Sequence, residues 1–256
     1  MRFIFKTDYN QDVKLAKHGG HVFWYSLLGL FLVAAPWVVP EYWLAQLTFV
    51  LIYAVVGLGL MLLAGFTGLF SLGHAAFLGV GAYTQAVMVN AGVPFPLALV
   101  CAGLFSALVG VIVGLPALRV KGIYLGMATL AFGFIVEEGM ARWESVTGGN
   151  AGLMVGYPAI GSWTLDSTES FYFLCLIVTV GATLAIVNLL RSSTGRAFVA
   201  IRDSEISAQS MGIHLARSKT LSFALSAALA GIGGALYARK IQFLSPEQFS
   251  IIQSID

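Results

Sequence analysis

Seven long apolar runs, separated by short polar stretches, constrain this chain more than any motif within it. A helix needs about 20 mostly apolar residues to cross a bilayer. The runs at 23–39, 44–64, 74–90, 95–116, 123–137, 171–190 and 220–238 reach or approach that length. They lack the alternation in segments of about 10 residues that marks a membrane barrel. Of the 256 residues 58% are hydrophobic and only 10% charged, where a soluble domain has about a quarter charged. Too little polar surface is left to cover a water-soluble globule. The expected fold is an all-α, polytopic transmembrane helical bundle.

Charge placement orients the bundle. With the N-terminus inside, eleven of the 14 Lys and Arg fall on that side. They are Arg2, Lys6, Lys14 and Lys17 in the tail, Arg119 and Lys121 after the fourth run, and Arg191, Arg196, Arg202, Arg217 and Lys219 after the sixth. Outside fall Arg142, Arg239 and Lys240, among the acids Glu41, Glu137, Glu138, Glu144, Asp166, Glu169 and Glu247. The positive-inside bias makes residues 191–219 a cytoplasmic loop and residues 138–170 an outer one. Residues 1–22 read as a retained cytoplasmic tail and 23–256 as the membrane domain. A signal peptide ending near Ala34 and Ala35 is disfavoured by the length of the polar start and by Asp8 and Asp12. A net charge of +2 gives no basis for binding nucleic acid. Cys101 and Cys175 lie in apolar runs, where Cys acts as a small hydrophobe.

The cytoplasmic loop carries a local helix signal. Asp203 or Ser204 can cap its start, Glu205 then sits in a first turn that favours negative charge, and Gly212 stands where a C′ glycine ends a helix. Ile206, Ala208 and Met211 supply an apolar or small face. Such a helix either lies on the lipid surface or docks on another protein.

Inside the membrane, "GFTGLFSLGH" (65–74) interrupts the apolar sequence. Gly65, Gly68 and Gly73 loosen the backbone, and Thr67, Ser71 and His74 add polar groups. This is either a tight inner-surface turn whose Ser and His cap the next helix, or a break lining a substrate path. "AAFLGVGA" (75–82) aligns without gaps to "AALAGIGG" (227–234), a sign of close helix packing or of a duplicated half. Gly110 and Gly114 form a separate GxxxG. "TGGNAGL" (147–153) is either an ordinary flexible loop or part of the outer mouth.

No G-x-x-x-x-G-K-[ST] cradles a nucleotide phosphate, and neither H-E-x-x-H nor G-x-S-x-G is present. No charged residue lies in the middle of a run, where a proton- or ion-coupled pump generally needs one. The residues present suggest neither an enzyme nor a cofactor site.

The loop resembles the coupling loop of ABC-importer permeases, with Glu205, Ala208 and Gly212 as counterparts of its markers; it departs from that pattern at Ile206 and Ser207, has its glycine one residue late and lacks the I-x-L-P ending. "GFTGLFSLGHAAFLGVGAYT" (65–84), "LRVKGIYLGMATLAFGFIVE" (118–137), "TGGNAGL" and "SFALSAALAGIGGALYA" (222–238) are similar, in the same order, to LivM-type permeases of the branched-chain amino acid importer family. The resemblance covers residues 45 to 256 and implies a permease subunit forming half of a pathway with a second, related permease. It further implies separate ATPase subunits docking on Asp203, Ser204, Glu205, Ala208 and Gly212, a periplasmic binding protein at the outer face, and a bacterial inner membrane. An acidic outer rim at Glu137 and Glu138 would suit a basic patch on that binding protein. Gly68, Ser71, Gly73, His74 and Thr129 are the candidate pathway or hinge residues. Permeases for urea and short amides share the pattern, and a self-contained secondary transporter is the rival from another class. The family continues beyond "SPEQFSIIQSID", so a C-terminally truncated chain with a loosely held ending is expected.

Overall fold

The computed structural model describes residues 19–115, 120, 122–156, 159–160, 163–164 and 167–250. The tail up to residue 18, Arg119, Lys121 and the final six residues lie outside them. All seven apolar runs are helical. They form α1 (Gly19–Val38), α2 (Glu41–Leu60), α3 (His74–Asn90), α4 (Phe95–Gly114), α5 (Ile123–Arg142), α7 (Thr168–Arg191) and α10 (Leu215–Ile241). A four-residue α6 (Glu144–Thr147) follows α5, and α8 (Ser193–Asp203) and α9 (Glu205–Ser210) precede α10.

Among the described residues five helices are long and apolar enough to cross a membrane by length and composition, with α2 and its extension to Phe66 counted as one. The others are α1, apolar over Val22–Val38, and α3, which has 17 residues. Several boundaries move. The first helix starts at Gly19, within the stretch expected as tail. The fifth runs on to Arg142, so Glu137 and Glu138 are helical. The last starts at Leu215, which takes Arg217 and Lys219 out of the loop.

The bundle is built around α10. Its apolar window is 72% buried, against 22–39% for the other four spans. It packs most extensively on α4, then on α3 and α2, while α7 packs on α2 and α1 lies at the edge against α2 and α7. Small residues allow this crowding. A Cβ at Gly81 would overlap the backbone of Gly231, so α3 and α10 meet main chain to main chain. The two glycine motifs that align in sequence therefore press on one another. Gly110 and Gly114 of α4 face Phe223, Ala227 and Thr220 of α10, a packing use of the GxxxG.

The end of the bundle at the C-terminus of α10 carries an ordered cap. β1 (Leu153–Met154) pairs antiparallel with β4 (Phe243–Leu244), and the Val155 amide donates to the Gln242 carbonyl. Thr147 Oγ1 donates toward the Met140 and Trp143 carbonyls and accepts from the Gly149 amide. The Asn90 amide group grips Met154 and Gly156. "TGGNAGL" is thus pinned rather than an ordinary flexible loop. Residues 242–250 are also held: Phe249 is 2% exposed and stacks edge-on against Tyr83 and Tyr237. The last six residues of the ending expected to be loose lie outside the described residues. β2 (Ala159–Ile160) and β3 (Trp163–Thr164) form a second two-stranded pair.

Candidate functional site

Two groups of residues singled out by sequence come together at the α8–α9 end of the bundle and in the interior next to it. The first is the short helix α9. Ser204 is its N-cap, with Oγ accepting from the Ser207 amide at 3.3 Å. Asp203 is not the cap. It is the last residue of α8 and receives two hydrogen bonds from Arg202. At the other end Gly212 has φ +83°, the Ile213 amide donates to the Ala208 carbonyl and the Gly212 amide to that of Gln209. That pair of bonds is the Schellman arrangement, which requires a left-handed residue where Gly212 stands.

The expected common face of Ile206, Ala208 and Met211 does not exist. At 100° per residue Ala208 lies nearly opposite Ile206. Ala208 is 3% exposed against the bundle, whereas Ile206 and Met211 are 80% and 87% exposed. Glu205 also turns inward. Its carboxylate accepts from Lys219 Nζ at 2.7 Å, with the Lys219 side chain only 2% exposed.

α8 has no counterpart in the expected single loop helix. Ser192 caps it through the Gly195 amide, and Phe198 and Ile201 bury one face. The signal was present as Ser192 followed by apolar residues at i and i+3 spacing. Lys219 and Arg202 also escaped notice as site residues, having entered only as orienting charges.

The second group surrounds the break after α2. The helix widens into a π-helix over Met61–Phe66, where Thr67 Oγ1 donates to the Leu62 carbonyl and the Leu69 amide to that of Leu63. The chain then turns back and climbs without regular structure to Gly73. The expected inner-surface turn describes only its start. Its end stands deep in the bundle: His74 Nε2 lies 3.3 Å from the Val56 carbonyl, ten residues or about 15 Å of helix above Phe66. Thr67, Ser71 and His74 are all buried. Neither Ser71 nor His74 caps α3, whose N-cap is Gly73 without a side-chain bond. Since a carbonyl only accepts, His74 Nε2 carries the proton, leaving Nδ1 as an acceptor that faces no donor among the described residues.

Gly73 and Thr129 do meet. The Leu72 amide donates to Thr129 Oγ1 at 3.0 Å, and Gly73 lies so close to the Thr129 carbonyl that a Cβ there would overlap it. Gly68, at φ +71°, packs on the Arg202 side chain, whose Nη1 donates to the Gly65 carbonyl at 3.1 Å. The break therefore touches α8 at its lower end and α5 higher up. Among the described residues no three His, Cys, Asp or Glu side chains gather to hold a metal ion.

A family model described as "Branched-chain amino acid transport system / permease component" matches residues 42–256. The "High-affinity branched-chain amino acid transport system permease protein LivM" of Salmonella typhimurium (strain LT2) is 34% identical over 255 residues, covering 89% of this chain and 60% of that protein. The protein of the same name from Escherichia coli (strain K12) is 34% identical over 247 residues, covering 87% of this chain and 58% of that protein. The chain thus spans about three-fifths of the length of these relatives. No solved structure matches it.

Proposed function

Because the chain belongs to the branched-chain amino acid transport permease family, we propose that it is a membrane subunit of an ABC importer for branched-chain amino acids. In this reading α8 and α9 are cytoplasmic, separate ATPase subunits dock on α9, and a second, related permease completes the pathway. A periplasmic binding protein delivers substrate at the opposite, capped end, in the inner membrane of a bacterium with the N-terminus inside. The chain does no chemistry of its own.

The observation that carries the reading is α9 itself. It is a capped helix with Ile206 and Met211 held out into solvent and with its inner side tied to the central span. A lipid-surface helix would be expected to present a continuous apolar stripe; here the two exposed apolar side chains stand apart on a polar surface, as two knobs. Exposed apolar knobs on a rigid support are what a cleft on a partner can grip. The re-entrant stretch from Thr67 to Gly73 supplies irregular, protein-buried backbone, the kind of element that lets membrane helices rearrange.

The test is reconstitution of the permease with its ATPase and uptake of leucine, isoleucine, valine, urea and acetamide. ATP-dependent uptake of the three amino acids is the expected result. Uptake of urea or acetamide alone would assign the chain to the amide permeases. Uptake driven by a sodium or proton gradient without ATPase would make it a secondary transporter. Ile206→Asp and Met211→Asp should each leave thermal stability within about 0.5 kcal/mol, as expected for exposed positions, and lower ATPase co-purification at least tenfold.

A further inference from the structure

We infer that Glu205 and Lys219 form a rigid strut through which movement of α9 is delivered to α10. The inference rests on the importer reading and deepens it by assigning the marker glutamate a partner within its own chain. Family resemblance places Glu205 toward an ATPase, but its carboxylate is turned to Lys219 at 2.7 Å.

The physical argument starts from burial. Lys219 is among the largest fully buried side chains and sits in the second turn of α10. A buried ammonium is costly unless a counter-charge meets it, and removing that counter-charge leaves the cost uncompensated. Glu205 is therefore held where it is for as long as Lys219 stays buried. Apolar burial contributes little to seating α9: of its six residues only Ala208 is buried. An apolar contact could slide along the bundle, whereas a hydrogen-bonded ion pair fixes one carboxylate against one ammonium. A second tie runs from α8, where Arg202 reaches the Gly65 carbonyl within the π-helix. A push on Ile206 and Met211 thus has a stiff route into α10, which packs in turn on α2, α3 and α4.

A strut makes a prediction that a contact broken during the cycle does not. α9 and α10 should move as one body, so joining them covalently should leave transport intact. Gln209 and Ala216 are exposed and line the same groove between the two helices. In the reconstituted importer, with Cys101 and Cys175 replaced by Ala, Gln209→Cys and Ala216→Cys bridged by a bis-maleimide should retain uptake within about twofold. Loss of uptake on bridging, restored with a cleavable linker, would overturn the strut.

Charge variants test the same pair. Lys219→Gln, a change in α10 rather than in the docking helix, should still bind ATPase and hydrolyse ATP, but consume about tenfold more ATP per substrate imported. Combining Glu205→Lys with Lys219→Glu should bring that ratio back to within about threefold of the parent. An unchanged ratio in Lys219→Gln would also overturn the proposal. Should that variant fail to insert, the bridging result decides alone. Failure of the parent to show ATP-driven uptake would instead count against the importer reading, so the two failures are distinguishable.

Discussion

The guanidinium of Arg202 donates to the main-chain carbonyl of Gly65 at 3.1 Å and joins residues 137 positions apart in the chain. The carbonyl belongs to the π-helix that ends α2, and the aliphatic part of Arg202 covers Gly68 just beyond it. The helix preceding α9 is in this way fastened to the point where the membrane backbone first departs from helical form.

Arg202→Met should separate stability from coupling. The side chain is 43% exposed, so its bonds are partly screened and their loss should cost about 1 kcal/mol or less. The apolar stem of Met can still cover Gly68. A melting temperature within a few degrees of the parent, with uptake reduced severalfold, is the expected pair of measurements. Unchanged uptake would show that the Arg202–Gly65 bond has no part in transport.

Gly73→Ala should be far more damaging than Gly57→Ala. At Gly73 a Cβ would overlap the Thr129 carbonyl, and neither backbone can yield without moving α3 or α5. Overpacking of this kind typically costs about 1–3 kcal/mol. At Gly57 nothing lies within 4 Å of the added carbon, and alanine is favoured over glycine in a helix by about 1 kcal/mol. Thermal melts in detergent should therefore move in opposite directions. Equal shifts would contradict the close approach of the re-entrant stretch to α5.

Gly212 should tolerate Asn and reject Val. Nothing crowds its Cβ position, so the whole penalty comes from φ +83°. Asn enters the left-handed region several-fold more readily than most residues, and β-branched Val scarcely does so. Gly212→Val should break the Schellman turn and reduce ATPase co-purification, while Gly212→Asn stays near the parent. Equal co-purification of the two would remove the turn from the docking argument.

Single cysteines at Ser193 and Ser145, in an otherwise cysteine-free chain, should react with a membrane-impermeant maleimide from opposite sides. Both positions are exposed, Ser193 at the start of α8 and Ser145 in α6 near the cap. The 27 residues of α10 set these ends about 40 Å apart. Labelling from one side only would overturn the orientation drawn from Lys and Arg placement.

The spans were legible because spanning is a property of consecutive residues. An apolar run of sufficient length becomes a helix in lipid whatever its neighbours do, since every backbone group must be satisfied within it. The ends of α9 were legible for a similar local reason: a hydroxyl near its start and a glycine near its end act within one turn. What such patterns do not contain is the direction a side chain faces when its partner is distant in sequence. Glu205 looked outward until Lys219, 14 residues later, was found beneath it, and Ala208 parted from Ile206 and Met211 only when the bundle defined an inside. The break at 65–74 likewise reads as a turn or a pathway until Val56, Thr129 and Arg202 from three other elements fix its course. Local chemistry decided which segments are helices and where they are capped. Long-range packing decided which charges are buried, which apolar side chains stay exposed, and how deep the irregular backbone goes, because each of those depends on atoms that the sequence places far away.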